Sequence, residues 1–267
     1  MNIHSTAIVD PGAELGADVS IGPYSLIDAG VVIGARTVIG PHVRITGHTT
    51  IGEDCTIHTG AVLGEPPQDH KYHQEESYLK IGNSNIIREY VTLHLGVGEG
   101  NATVIGEHNM FMAYAHVGHN STVGNHVTVC NYVGLSGWCF VEDRVVLGGM
   151  CGLHQFVHIG RLAMVGGHSK VAHDIPPFVI VDGPPAKIYG INAVGLRRAG
   201  FSPDLRNSLK QAVRITCHEN GNLSEALKKA YERLPALPEI EEYLHFMARS
   251  GRSGRHRDPG HKQCART

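Results

Sequence analysis

Aromatic residues make up only 6% of this chain, with a single Trp, and charged residues only 18%. So small an aromatic supply fits a narrow aliphatic interior. No apolar run approaches the ~20 residues that a membrane-spanning helix needs. The polar opening Met1-Asn2-Ile3-His4-Ser5 has no basic and hydrophobic signal pattern, so a cytoplasmic protein is expected. The six cysteines (Cys55, Cys130, Cys139, Cys151, Cys217, Cys264) lack the paired spacing of a zinc ribbon or a disulfide framework. Most read as small core or coil residues.

What the chain does have is a period of six. Ile3, Val9, Leu15, Ile21, Ile27, Ile33, Ile39, Ile45, Ile51, Ile57 and Leu63 keep it without a break; Ile81, Ile87 and Leu93 resume it, and Ile105 carries it on through Phe111 to Val171. Neither an amphipathic helix nor a free strand places a large apolar residue at every sixth position. Short repeats of this kind mark a parallel β-helix, in which each turn buries its face against its neighbours. Three hexapeptides make an eighteen-residue triangular coil, so residues eighteen apart lie above one another, with coils about 4.8 Å apart. Gly16, Gly22, Gly34 and their equivalents follow an inward aliphatic, where the chain is expected to turn a corner.

Two segments break the phase. Residues 64–80, containing Glu65-Pro66-Pro67-Gln68-Asp69-His70-Lys71-Tyr72, and the glycine-rich residues 95–102 are expected to protrude as loops, where function concentrates. Residues 1–190 are thus read as a β-helix with two inserted loops. Residues 191–250 read as a small helical domain: Ser202-Pro203 opens a helix to about His218, Ser224 caps a second to about Leu234, and Pro238 opens a third to about Ser250. A short irregular link with Gly183-Pro184-Pro185 precedes them, and 251–267 reads as a disordered basic tail. Residues 1–171 carry 8 Lys+Arg against 15 Asp+Glu (−7) and residues 172–267 carry 15 against 10 (+5), which together give the net charge of −2. The basic part suits an acidic partner or a phosphorylated ligand; nucleic acid is not expected.

Most of the nineteen histidines sit singly at outward coil positions. His116 and His119 differ, because they flank the inward Val117. By the eighteen-residue rule Gly137 and Gln155 lie above His119, Gly134 and Gly152 above His116, and Ser136 and His154 above Gly118. A histidine beside a glycine-lined wall provides a base, space for a ligand and backbone N–H donors for an oxyanion, which are the needs of acyl transfer.

The segments Gly64–Tyr72, Ala115-His116-Val117-Gly118-His119-Asn120, Gly149–Phe156, Val165-Gly166-Gly167 and Gly195–Phe201 closely resemble the hexapeptide-repeat family of acyl-carrier-protein–UDP-N-acetylglucosamine O-acyltransferases of lipid A biosynthesis, over about residues 1–250. The resemblance implies a left-handed coil, a homotrimer with clefts between subunits, no cofactor, and transfer of a 3-hydroxyacyl group from acyl carrier protein to the sugar 3-hydroxyl. It implies His119 as general base and the Gly137 N–H as oxyanion donor. Gln68, Asp69, Lys71, His116, His154 and Gln155 match substrate-binding positions. Asn192 and Arg198 match positions that meet the nucleotide, and Gly167 the place where acyl length is limited, left open here for a longer chain. The helical domain, with Lys187, Arg197 and Arg198, fits a dock for the carrier protein. Three positions depart from the pattern: Asn120 where an acid is common, Trp138 where a histidine is common, and Val194 in place of a nucleotide-contacting acid.

Other readings compete. The N-acyltransferase of the same pathway carries a uridine-binding domain ahead of its repeats, whereas here the repeat starts at Ile3. A zinc enzyme of the hexapeptide carbonic anhydrase type is suggested by His154 and His158, spaced by four. A non-catalytic scaffold is the third.

Overall fold

The computed structural model describes residues 2–218 and 222–249, so the expected basic tail lies outside the described residues. Strands mostly of two residues form the three faces of a prism. The first face is an eleven-stranded sheet from Asn2–Ile3 to Lys187–Ile191; the second has nine strands from Ile8–Val9 to Lys170–Val171, and the third eight from Glu14–Leu15 to His158–Ile159. Where the repeat is unbroken the parallel register is eighteen: Asn2 pairs with Ser20, His116 with Gly134, and Gly134 with Gly152. The insertions lengthen it to thirty at His48–Tyr78 and to twenty-four at Thr92–His116.

From Ile21 onward every residue of the six-residue series is buried, whereas Ile3 is 41% exposed because the first coil has a neighbour on one side only. Each buried Ile, Leu or Val contributes about 1.5–3 kcal/mol. The corners are made differently from the expectation. Non-glycine residues three positions after the inward aliphatic take the left-handed conformation, among them Asp18, Tyr24, Arg36, Asn120 and Trp138, the last two at φ 58° and 61°. The glycines one position after the aliphatic serve close approach instead: a Cβ on Gly34 would lie 2.5 Å from the carbonyl carbon of Gly52 in the next coil.

Both loops are shorter than expected. Strands Val62–Glu65 and Tyr78–Ile81 take the ends of the first, leaving 66–77, and Ala102–Ile105 takes the end of the second, leaving 95–101. Leu79, fully buried and paired with Thr49, explains why the sheet extends there. The irregular link is in fact a hairpin: Val179–Asp182 continues the first face and Lys187–Ile191 pairs antiparallel with it.

Four helices follow: α1 (Ala193–Arg198), α2 (Pro203–His218), α3 (Leu223–Arg233) and α4 (Pro238–Ala248). Ser202 caps α2 through the Leu205 N–H at 3.2 Å. The cap of α3 is Asn222, accepting from the Glu225 N–H at 2.9 Å, and not Ser224, which lies inside the helix. Tyr243 of α4 is fully buried and shares a 2.8 Å hydrogen bond with Thr216 of α2. Polar contacts fasten α4 to the prism. The Arg161 guanidinium meets the Glu242 carboxylate at 2.7 Å, and Arg249 donates to His158 Nδ1 at 2.6 Å. His158 therefore carries its proton on Nε2 and donates it to Glu142 at 2.5 Å. Burial pushes the Glu142 carboxyl up, but the His158 hydrogen bond, the Arg161 N–H and the Arg249 charge together hold it below the usual carboxylate range.

Candidate active site

Both insertions leave the same edge of the prism, between the second and third faces, in consecutive coils; His119 and Asn120 turn that edge in the coil above. The loops clasp each other. Gly98 donates its N–H to Glu75 Oε1 at 2.7 Å, Glu76 donates its N–H to Glu99 Oε2 at 3.1 Å, and Gly100 donates its N–H to the Glu76 carbonyl at 2.9 Å. The buried ring of His94 donates from Nδ1 to the Pro66 carbonyl at 2.8 Å, tying the first loop to the wall.

The loops orient His119, which is only 7% exposed. Asn120 Oδ1 accepts the Val97 N–H at 2.9 Å and Asn120 Nδ2 donates to the Val97 carbonyl at 3.1 Å, which fixes the amide. The same Oδ1 lies 2.8 Å from His119 Nδ1, so that nitrogen must carry a proton and, in the neutral ring, Nε2 holds the lone pair. Nε2 faces Asp69 of the first loop, whose Oδ2 is 3.5 Å away. A cleft of about 620 Å³ opens here, lined by Gln68, Asp69, His94, His116, Gly118, His119, Gly134, Leu135, Ser136, Gly137, His154 and Gln155.

Glycine shapes the cleft in two ways. A Cβ on Gly134 or Gly152 would meet nothing within 4 Å, so these two leave a ledge open above His116. A Cβ on Gly137 would lie 2.4 Å from Nε2 and Cε1 of His119, so only glycine lets that ring sit there. Among the described residues the Gly137 N–H has no hydrogen-bond partner. At the edge between the third and first faces, equivalent N–H groups are capped by the coil above: Glu53 by Asn83 at 2.8 Å, Glu107 by Asn125 at 2.8 Å and Asn125 by Asp143 at 2.7 Å. The edge that holds His119 thus offers a free donor beside the Nε2 of an imidazole whose Nδ1 is held as a donor, the pairing that addition to a carbonyl requires. Burial first, then the charges of His94 and His119, lowers His116 to about 4; neutral at pH 7, it is held by a 2.7 Å hydrogen bond to Thr92 Oγ1.

The chain matches a family model described as Udp N-acetylglucosamine O-acyltransferase, domain 2, over residues 174–255, and bacterial transferase hexapeptide repeats over 30–65 and 102–137. It is 46% identical to the acyl-[acyl-carrier-protein]–UDP-N-acetylglucosamine O-acyltransferase of Thiobacillus denitrificans, covering 94% of this chain and 97% of that one. The relative of the same name from Thermodesulfovibrio yellowstonii is also 46% identical, over 92% and 95%. The chain belongs to the acyl-[acyl-carrier-protein]–UDP-N-acetylglucosamine O-acyltransferase family. Among solved structures, the UDP-N-acetylglucosamine acyltransferase of Bacteroides fragilis superposes with a TM-score of 0.90 at 36% identity, over 93% of this chain and 97% of that one. The Acinetobacter baumannii structure gives 0.86 at 40%, over 91% and 95%. The fold is accordingly a left-handed parallel β-helix with a small helical C-terminal domain.

Within this acyltransferase, Gln68, Asp69, His116, His119, Gly137, His154 and Gln155 come together in one cleft. Four other candidates lie elsewhere. Lys71 is exposed on the first loop, its N–H held by Asp69 at 2.9 Å. Gly167 is on the edge between the first and second faces, where a Cβ would be 3.2 Å from the Gly149 carbonyl oxygen. Asn192 caps α1, accepting from Gly195 at 3.1 Å and donating to the Leu162 carbonyl at 2.9 Å, and Arg198 is exposed at the end of that helix. His94 and Ser136 line the cleft but were not among the sequence candidates. His94 is twenty-four residues below Gly118 and comes into view once the second insertion is added to the eighteen-residue count. The zinc reading loses its pair: His154 faces the cleft, whereas His158 is buried against Glu142 and Arg249. Among the described residues no group of three or more His, Cys, Asp or Glu could hold a metal ion.

Proposed function

We propose that this cleft transfers a 3-hydroxyacyl group from acyl carrier protein to the 3-hydroxyl of UDP-N-acetylglucosamine, the first step of lipid A biosynthesis. The observation that carries the reading is the free Nε2 of His119 beside the open Gly137 N–H. Nε2 takes the proton of the sugar hydroxyl as its oxygen attacks the thioester carbon, and the Gly137 N–H receives the developing oxyanion. The C–S bond then breaks, and the departing thiolate recovers the proton from His119. Asn120 holds the ring without charge. Neutral His116, His154, Gln68, Asp69 and Gln155 surround the sugar and the acyl head, with the glycine ledge beside them.

Gly167, Asn192 and Arg198 lie off the cleft of their own chain, so their use demands a neighbouring copy, and a homotrimer is the assembly we propose. Lys71 then works at the rim. Exposed Lys187, Arg197 and Arg198 give the acidic carrier protein a basic landing surface. Among the described residues no helix is long and apolar enough to cross a membrane, and we place the enzyme in the cytoplasm with its two substrates.

Mass spectrometry of products from a panel of carrier-protein thioesters, offered UDP-N-acetylglucosamine and its 3-amino analogue, tests the reading. A 3-O-(3-hydroxyacyl) product, with longer chains preferred, is expected. Absence of any acylated nucleotide sugar would overturn it.

A further inference from the structure

We propose that Glu75, on the first inserted loop, is a positioning residue that sets the tautomer of His119 by clasping the second loop. The proposal rests on the reading of His119 as the base. Glu75 Oε1 accepts the Gly98 N–H at 2.7 Å and Oε2 accepts the His73 N–H at 2.7 Å. Gly98 follows Val97, whose N–H and carbonyl are both bonded to the Asn120 amide, at 2.9 and 3.1 Å. That amide holds His119 Nδ1 at 2.8 Å. One backbone pair, Val97-Gly98, therefore links the Glu75 carboxylate to the imidazole.

The chemistry explains why an acid stands there. Both partners of Glu75 are N–H donors, which an acceptor-only carboxylate satisfies at once, whereas an amide would turn its NH₂ toward one of them. Backbone N–H groups of Glu75 itself, Gly98 and His73 hold the carboxyl below the usual range, so it is ionised at neutral pH. The second loop needs a fastener, because Gly96, Gly98 and Gly100 give it a large conformational freedom to lose. With Val97 released, the Asn120 amide can rotate by half a turn and present Nδ2 to the imidazole. His119 Nδ1 must then accept, its proton moves to Nε2, and the base is lost.

The test measures acyl transfer in Glu75→Ala and Glu75→Gln together with ¹⁵N NMR of the His119 ring and melting temperature. In Glu75→Ala, kcat should fall about 10- to 100-fold, part of what a general base contributes, with a smaller change in KM. Its His119 nitrogen shifts should move from a single Nδ1–H tautomer toward averaged values, with melting within a few degrees of wild type. Glu75→Gln, which keeps one acceptor, should lie between wild type and Ala in both readouts. Wild-type kcat and unchanged His119 shifts in both folded variants would overturn the proposal. The NMR signature does not require turnover, so failure of the parent enzyme to acylate the nucleotide sugar is a separate outcome that counts against the reading of function alone.

Discussion

Two edges of the same prism share a backbone and differ in almost everything else. Asn120 and His126 sit at equivalent corners, with φ of 58° and 56°. On the edge that holds His126, side chains from one coil cap the N–H groups of the next and charges pair along the outside, as between Arg36 and Asp54 at 2.7 Å. On the edge that holds Asn120, two coils are interrupted by loops, and the coils above carry His119 and then Gly137 where the other edge carries Asn125 and Asp143. The repeat supplies rigid, evenly spaced corners. Chemistry arises where a cap is withheld and an insertion closes over the gap.

The comparison breaks most sharply if the edge that holds Asn120 is given a side chain. Gly137→Ala puts a Cβ 2.4 Å from the His119 ring, so the ring must move. Misplacement on that scale should cost about 10²-fold in kcat/KM, read in a steady-state acyl-transfer assay. Gly134→Val instead fills open space on the ledge, in a strand that accepts a β-branched residue. Turnover should drop about tenfold, since bound groups lose their position, while the melting temperature holds. Loss of folding in this variant would show that the ledge is part of the core.

The other edge should respond in stability and not in turnover. Glu142 has its carboxyl held below the usual range, so it stabilises the fold above the ordinary carboxylate pKa and loses that contribution as the pH falls through its depressed value. Denaturation of Glu142→Gln across pH should therefore differ most from wild type near neutrality and converge with it in acid. The smallest effect is expected for Asp143→Ala, which uncaps the Asn125 N–H. Partly solvated, that bond contributes about 1 kcal/mol or less. The variant should melt a few degrees lower, with kcat/KM unchanged.

Much of this was legible in the sequence, because the six-residue period sets both fold and vertical registry. That registry alone brings Gly134, Gly137, Gly152, His154 and Gln155 to the two histidines. Three features were hidden for physical reasons. The corner conformation is borne by residues as varied as Asp18, Tyr24 and Trp138, since the stacked coils outweigh local preference. The hairpin around Gly183-Pro184-Pro185 reads as loop because turn residues separate two short strands whose pairing comes from the sheet beneath. The path from Glu75 through Val97 to Asn120 depends on two loops folding onto each other, which no periodicity reports.

The proposed transfer depends on a free nitrogen of the His119 imidazole, and His119→Ala tests it directly. Single-turnover transfer from an acyl carrier protein thioester to UDP-N-acetylglucosamine should slow by about 10²- to 10⁴-fold, the span of general-base catalysis, with melting little changed. Wild-type turnover in a folded His119→Ala enzyme would contradict it.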